Sequence, residues 1–233
     1  MKICGLQNTT LLDFPGKVAC TIFTGGCNFR CPFCHNASLV SDIGKIDEAY
    51  TEDEIFTFLN KRKNILDGVC ITGGEPTLWP DLPDFISKIK ETGLLVKLDS
   101  NGYKPDVLEF LIKNKLIDYI AMDIKSGESG YGNATGLKDI DISLIKKSIS
   151  IIMNSGIDYE FRTTLVKGIH TISDIDEIGL LIKGAKNYFL QSYKDSGDIL
   201  NSTFKMDSFN EKELKLFLSK ASAFANSHLR GID

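Results

Sequence analysis

Six times in succession the chain runs through a short β-rich stretch and then a plausible helix, and no other feature restricts its fold as much. The stretches are VACTIFT (Val18 to Thr24), GVCIT (Gly68 to Thr72), LVKLDS (Leu95 to Ser100), DYIAMDI (Asp118 to Ile124), YEFRTTLV (Tyr159 to Val166) and YFLQSY (Tyr188 to Tyr193). Consecutive β-then-α units imply parallel strands joined by right-handed crossovers. Thr51-Glu52-Asp53-Glu54 spells a capping box ahead of IFTFLNKRKNIL, and Ser173 to Asp176 offers cap chemistry to the segment ending at Lys183-Gly184. Further helices are expected over about Leu82–Glu91, Pro105–Asn114, Ile142–Asn154 and Glu211–Ala225.

A parallel sheet of six units is either doubly wound or part of a barrel. Polar and glycine-rich residues stand just past the C-terminal ends of most strands: GGC after the first, GGEP after the second, DSNG at the third, DIK at the fourth and QSYK at the sixth. A ring of sites on one rim suits a barrel. An open sheet would gather them at a single switch point. The expectation is an α/β fold, a partial (β/α)6 barrel forming a single domain over 1–233. Its core would cover about residues 15–195, with a helix at about 210–226 packed on it. At 233 residues, 42% of them hydrophobic, the chain is long enough to bury such a core.

The formal net charge of −4 argues against a general nucleic-acid binder, which normally shows a basic face. The opening MKICGLQNTTLLDF has one lysine and no long apolar run, so neither a secretory signal nor a membrane span is expected. A reducing cytoplasm follows as the default. Six cysteines could pair as disulfides, but Cys4, Cys20 and Cys70 are scattered in apolar surroundings and read as buried free thiols. Cys27, Cys31 and Cys34 are instead gathered for ligation.

In GGCNFRCPFCHN, thiolates at spacings of four and then three leave a strand within one loop, so each sulfur can turn toward a common centre. Structural zinc prefers four ligands. The one adjacent candidate, His35, abuts Cys34 and has difficulty reaching the remaining tetrahedral vertex. Taken alone, the triplet fits zinc or an iron–sulfur cluster. In TGGEP (Thr72 to Pro76) two glycines would let main chain approach a ligand, and Glu75 adds a carboxylate suited to an ammonium group. The plainer reading is a Gly-Gly turn leaving a strand.

CNFRCPFC resembles the cysteine signature of radical S-adenosylmethionine (radical SAM) enzymes, and GGEP resembles their methionine-amino-binding motif. The opening GLQNTTLLDFPGKVACTIFTGGCNFRCPFCHN, with DSNG, MDIK and FRTTLV, is similar to the activating proteins of anaerobic ribonucleoside-triphosphate reductases, kin of the pyruvate formate-lyase activating enzymes. The resemblance implies one [4Fe–4S] cluster held by Cys27, Cys31 and Cys34, with S-adenosylmethionine on the fourth iron. Reduction would then release a 5′-deoxyadenosyl radical. It further implies Phe33 and the backbone of Cys34 and His35 near the adenine, and Gly73, Gly74 and Glu75 at the ammonium. Asp99 and Ser100 match the third-strand motif and Asp123 and Lys125 the fourth. Lys125 would take the cofactor's carboxyl end. Asp99 and Asp123 are candidates for a monovalent cation. Where related activators carry a histidine after tyrosine, this chain has Tyr193-Lys194, which leaves Gln191, Lys194 or Arg162 to substitute.

The activity implied is abstraction of hydrogen from a glycine of a large glycyl-radical enzyme, anaerobic ribonucleotide reductase first. A flavodoxin or ferredoxin-type donor would supply the electron, without nucleic acid or membrane. The alternatives are an activator of a pyruvate formate-lyase-type enzyme, a radical enzyme acting on a small molecule and, in another class, a zinc-stabilised binding module. His170 and His228 read as ordinary surface or loop histidines, His35 as ordering its loop, and Trp79 as loop packing. Lys61-Arg62-Lys63 reads as the solvated face of a helix.

Overall fold

The computed structural model describes residues 1–40, 47–194, 200 and 206–231. Helices and strands alternate, and the described strands follow sequence order, β1-β2-β3-β4-β5-β6-β7-β8, in one sheet. The chain forms two compact units, one of Met1–Asn28, Ser38–Ser100 and Lys104–Ile120, the other of Phe29–Ala37, Asn101–Tyr103 and Ala121–Asp233.

The first unit carries β1 (Ile3–Thr10), β2 (Ala19–Thr24), α1 (Glu52–Arg62), β3 (Gly68–Gly73), α2 (Leu82–Glu91), β4 (Leu95–Ser100) and α3 (Pro105–Lys113). Strand β5 (Tyr119–Asp123) begins in it and ends in the second unit. Strands β2, β3 and β4 run parallel, with Ile22 beside Ile71 and Ile71 beside Leu98. Cys20, Ile22, Val69, Ile71, Val96 and Leu98 are wholly buried, as strands covered on both faces should be. Helix α2 closes one face with Leu82, Phe85, Ile86 and Ile89, each contributing on the order of 1.5–3 kcal/mol by leaving water. Asp118 ties three elements together: it accepts from Val96 N–H at 2.7 Å and from Lys90 Nζ at 2.6 Å. The capping box at Thr51 forms as its sequence predicts, Glu54 Oε2 accepting Thr51 N–H at 2.8 Å.

The second unit carries α4 (Tyr131–Thr135), α5 (Ile142–Met153), β6 (Asp158–Leu165), α6 (Ile172–Leu181), β7 (Tyr188–Ser192), α7 (Glu211–Ala221) and β8 (Ser227–Arg230). Strands β6, β7 and β8 are parallel, with Phe161 beside Tyr188 and Gln191 beside Arg230. Buried Tyr188 donates its hydroxyl to Thr163 Oγ1 at 2.8 Å, so the one polar atom of a large core side chain is satisfied.

The six anticipated strands are present, and two more flank them. β1 pairs antiparallel with β2. Its ICGLQNTT is too polar to read as core because it is half exposed. β8 is four residues, SHLR, with no apolar alternation. Helix ends also differ from expectation, α7 stopping at Ala221 rather than Ala225. α1 stops at Arg62 instead of running through Leu66, and α6 is capped two residues earlier than Ser173, by Thr171, whose N–H donates to Asp174 Oδ2 at 2.7 Å. Cys20 and Cys70 are buried as expected, burial pushing the Cys20 thiol up to about 12, whereas Cys4 is only half-buried. Among the described residues no helix is long and apolar enough to cross a membrane.

Gly179 is buried inside α6, where Ala would ordinarily gain up to about 1 kcal/mol of helix propensity. A methyl there would run into the ring of Phe224. Overpacking of this kind costs about 1–3 kcal/mol, so it should win. Gly179→Ala is expected to lower stability in urea denaturation; a stabilised variant would show that the ring moves aside freely.

Candidate active site

In the first unit the site grows from the ends of β2, β3 and β4. The loop that carries Cys27 is held by main chain: Gly26 N–H donates to Leu39 O at 2.7 Å, and Trp79 Nε1 donates to Gly25 O at 2.9 Å. Two further bonds join it to TGGEP, from Gly74 N–H to Thr24 O at 2.8 Å and from Glu75 N–H to Gly26 O at 2.7 Å. The glycines of this motif are needed for that approach. Gly73 has φ +124°, and a Cβ on it would strike the Thr24 main chain; one on Gly74 would strike the Gly26 carbonyl. The same contact therefore satisfies the plainer Gly-Gly reading and sets Glu75 in place.

Glu75 is 1% exposed. Three donors converge on its Oε1: Thr77 Oγ1 at 2.5 Å, Ser100 Oγ at 2.9 Å and Thr77 N–H at 3.2 Å. Hydroxyl and amide donors support a buried negative charge. Thr77 escaped the sequence reading, although an acidic residue before Pro76 at the start of a 3₁₀ turn is a capping pattern. Asp99, at the end of β4, is paired with Lys97, itself 1% exposed, and Cys70 Sγ lies 3.8 Å from both the ammonium and the carboxylate. Lys97 and Asp99 stand two apart on the strand and so share a face.

In the second unit Cys31 and Cys34 share a turn closed by Cys34 N–H to Cys31 O at 3.1 Å. Burial pushes the Cys31 thiol up to about 11, with Lys125 pulling the other way. Asp123 ends β5 and holds two cations, Arg162 Nε on Oδ1 at 2.9 Å and Lys125 Nζ on Oδ2 at 3.0 Å. Burial alone would raise the Asp123 carboxyl; Arg162 and Lys125 outweigh it and hold the group well below the usual carboxylate range. Burial would likewise lower Lys125, and Asp123 keeps it above its ordinary value. Lys125 has three donors and gives one to Asp123, so an anion can be taken by the same ammonium.

Phe33 is buried and meets the His170 ring edge-on at 5.9 Å. His170, taken from sequence for an ordinary loop or surface histidine, is 3% exposed. Its Nδ1 accepts Val166 N–H at 3.0 Å, so Nε2 carries the proton and donates to Lys125 O at 2.8 Å. The imidazole thus fixes both the Lys125 main chain and the Phe33 ring. No local pattern in the sequence marks it. The His35 ring lies 5.3 Å from that of Tyr193; Gln191 stands half-buried near the end of β7, and Lys194 is exposed beyond it.

Tyr131 is fully buried, with its hydroxyl at the Lys125 main chain. It stands within electrostatic reach of Lys125, Cys31 and Asp123. A buried thiol, a hydroxyl and a fixed cation fit a thiolate-ligated iron–sulfur cluster: metal coordination deprotonates thiols that burial keeps protonated, and the sulfur charge that results favours a nearby cation and donors. Among the described residues no three His, Cys, Asp or Glu side chains close on one point as the ligands of a single ion would. Ligands of a four-iron cluster bind different irons and need no shared point.

A profile of the Radical SAM superfamily matches residues 21–182. The chain belongs to that superfamily. Its members use a [4Fe–4S] cluster and S-adenosylmethionine, and this radical SAM protein is accordingly an oxidoreductase. A protein of Methanocaldococcus jannaschii named for glycyl-radical enzyme activation is 33% identical over 207 residues, covering 87% of this chain and 84% of that one. The pyruvate formate-lyase-activating enzyme of Clostridium pasteurianum is 28% identical over 193 residues, covering 80% and 78%. Among solved structures, SuiB of Streptococcus suis bound to S-adenosylmethionine superposes with a TM-score of 0.69 at 16% identity, covering 89% of this chain. This chain spans about half of SuiB, 49%. QueE of Escherichia coli superposes with a TM-score of 0.57 at 14% identity over 99% of this chain and 93% of that one. The fold is thus the α/β partial barrel of radical SAM proteins.

Because burial lowers the pKa of His170, the folded state prefers the neutral ring, while the unfolded ring titrates near 6.5. The stability it contributes is complete above that value and is lost as pH falls below it. Urea denaturation between about pH 7.5 and pH 5 should therefore show a decline that His170→Gln lacks, since an amide can accept from Val166 and donate to Lys125 at any pH in that window. Parallel profiles would remove His170 from this account.

Proposed function

We propose that this protein is a glycyl-radical enzyme activase, and that its substrate is a glycine of an anaerobic ribonucleoside-triphosphate reductase. The observation that carries the first part is the 33% identity to a protein named for glycyl-radical enzyme activation, over 84% of that protein's length. The second part rests on the likeness of GLQNTTLLDFPGKVACTIFTGGCNFRCPFCHN and its companion motifs to the reductase activators. A pyruvate formate-lyase-type partner is the second reading, favoured by the Clostridium pasteurianum relative.

In this reading Cys27, Cys31 and Cys34 would hold the iron–sulfur cluster, at which S-adenosylmethionine would bind. When bound, the reduced cluster and S-adenosylmethionine supply a hydrogen-abstracting radical, with methionine and 5′-deoxyadenosine as products. Glu75, held by Thr77 and Ser100, takes the ammonium with the Gly73 and Gly74 main chain. Lys125, oriented by Asp123 and His170, takes the carboxylate. Phe33, with the main chain of Cys34 and His35, borders the adenine. Lys97 at Asp99, and Lys125 and Arg162 at Asp123, already supply the charge that a monovalent cation would bring. Gln191 and Lys194 remain to contact the adenosyl group at the end of β7, and a flavodoxin or ferredoxin-type protein donates the electron.

After anaerobic reconstitution, dithionite and S-adenosylmethionine should yield 5′-deoxyadenosine, and incubation with the reductase should give a glycyl doublet by electron paramagnetic resonance. Cys31→Ala should lose the cluster absorbance and both products. A doublet on pyruvate formate-lyase but not on the reductase would replace the substrate named here with the second reading; none on either, with cofactor cleavage intact, would refute activation.

A further inference from the structure

The loop that follows β5 carries Lys125, and side chains of α6 seat it, all within the second unit. Its first residue belongs to the sheet: Ile124 N–H donates to Arg162 O at 2.8 Å, and Thr163 Oγ1 donates to Ile124 O at 2.8 Å. Lys125 O then takes the bond from His170. Beyond it the anchors are carboxylates. Asp174 Oδ1 accepts the hydroxyl of Ser126, a side chain 1% exposed, at 3.0 Å. Glu177 accepts twice from Ser129, the N–H on Oε2 at 2.9 Å and Oγ on Oε1 at 2.8 Å. Asp174 and Glu177 stand three apart on α6 and so share a face. The loop lies directly on that face, where a Cβ on Gly127 would come within 2.5 Å of the Glu177 Cβ.

The two oxygens of Asp174 divide their work. Oδ2 takes Thr171 N–H at 2.7 Å and Thr171 Oγ1 at 2.6 Å, which caps α6, whereas Oδ1 reaches across to Ser126. Helix α6 is therefore capped without the bond to Ser126, and the bonds from Glu177 to Ser129 add nothing to the helix itself. What these three bonds do is order the main chain around Lys125. A long side chain on an unanchored loop must be ordered as it binds, and that ordering is subtracted from affinity. We propose that Asp174 and Glu177 are positioning residues for S-adenosylmethionine: by holding Ser126 and Ser129 they seat the loop on α6, and so fix the main chain from which Lys125 meets the cofactor's carboxylate. The inference rests on the role given above to Lys125.

The test is the dissociation constant of S-adenosylmethionine, measured anaerobically by calorimetry on cluster-loaded protein, with cluster content and melting temperature recorded for every variant. Ser126→Ala removes the bond to Asp174 and leaves the cap at Thr171; Glu177→Ala removes both bonds to Ser129. Each is expected to bind about threefold more weakly, and the two together about tenfold. Glu177→Gln keeps an acceptor for Ser129 and should stay within about twofold of the parent. On a Lys125→Met background the same pair of substitutions should cost less than about twofold more, because the group they position is gone. General loosening of the unit would cost the same tenfold there. Unchanged affinity in the double variant, or its full loss repeated on Lys125→Met, would overturn the proposal. Should the double variant not retain the cluster, Glu177→Ala against Glu177→Gln, alone and with Lys125→Met, decides between the same outcomes. Lys125→Met also separates the two levels: if it binds as tightly as the parent, the role of Lys125 falls and this inference with it, whereas weak binding there with no effect at Ser126 and Glu177 removes the inference alone.

Discussion

A carboxylate can be withdrawn from water only with donors or an opposite charge beside it, and that requirement shapes the ends of these strands. Glu75 meets it with hydroxyls and an amide, Asp99 with Lys97, Asp123 with Lys125 and Arg162, and Glu160 with Arg230. The difference between the first solution and the others matters for function. The hydroxyls and the amide fix the Glu75 carboxylate in place, whereas the ion pairs bring their own cations and hold geometry, and one of them presents Lys125 as a cationic handle for a carboxylate.

The parallel strands were legible because strands covered on both faces must be apolar almost throughout, as ACTIFT and GVCITG are. β1 and β8 were not, since half-exposed or four-residue edge strands need no such run. The site divides in the same way. Cys27, Cys31, Cys34 and Gly73 to Glu75 are contiguous motifs in which chemistry dictates spacing. Thr77, Lys97 and His170 act on the site from elsewhere in the chain, and only folding defines their partners. A lysine in an apolar strand or a histidine in a loop carries no mark of what it will touch. The sequence reading therefore found the residues assigned to the ligands and missed most of those that orient them.

His170 illustrates what such second-layer groups contribute. With one nitrogen accepting from Val166 and the other donating to Lys125 O, the ring has no hydrogen-bonding capacity left over, and its tautomer is settled by the main chain. Its edge is left to Phe33. A histidine that reads in sequence as an ordinary surface or loop residue is a buried spacer in structure.

The two main-chain bonds between TGGEP and the loop of Cys27 have a consequence for how such a scaffold can diversify. Contacts made by Thr24, Gly26, Gly74 and the Glu75 amide are built from backbone, at a separation that admits no side chain on Gly73 or Gly74. Substitution has nothing to act on there except to break it. New substrates must be accommodated where side chains make the surface, the end of β7 with Gln191 and Lys194 among such places. The fold thus separates a joint built from main chain from a surface built from side chains, so reactivity can be inherited while recognition changes.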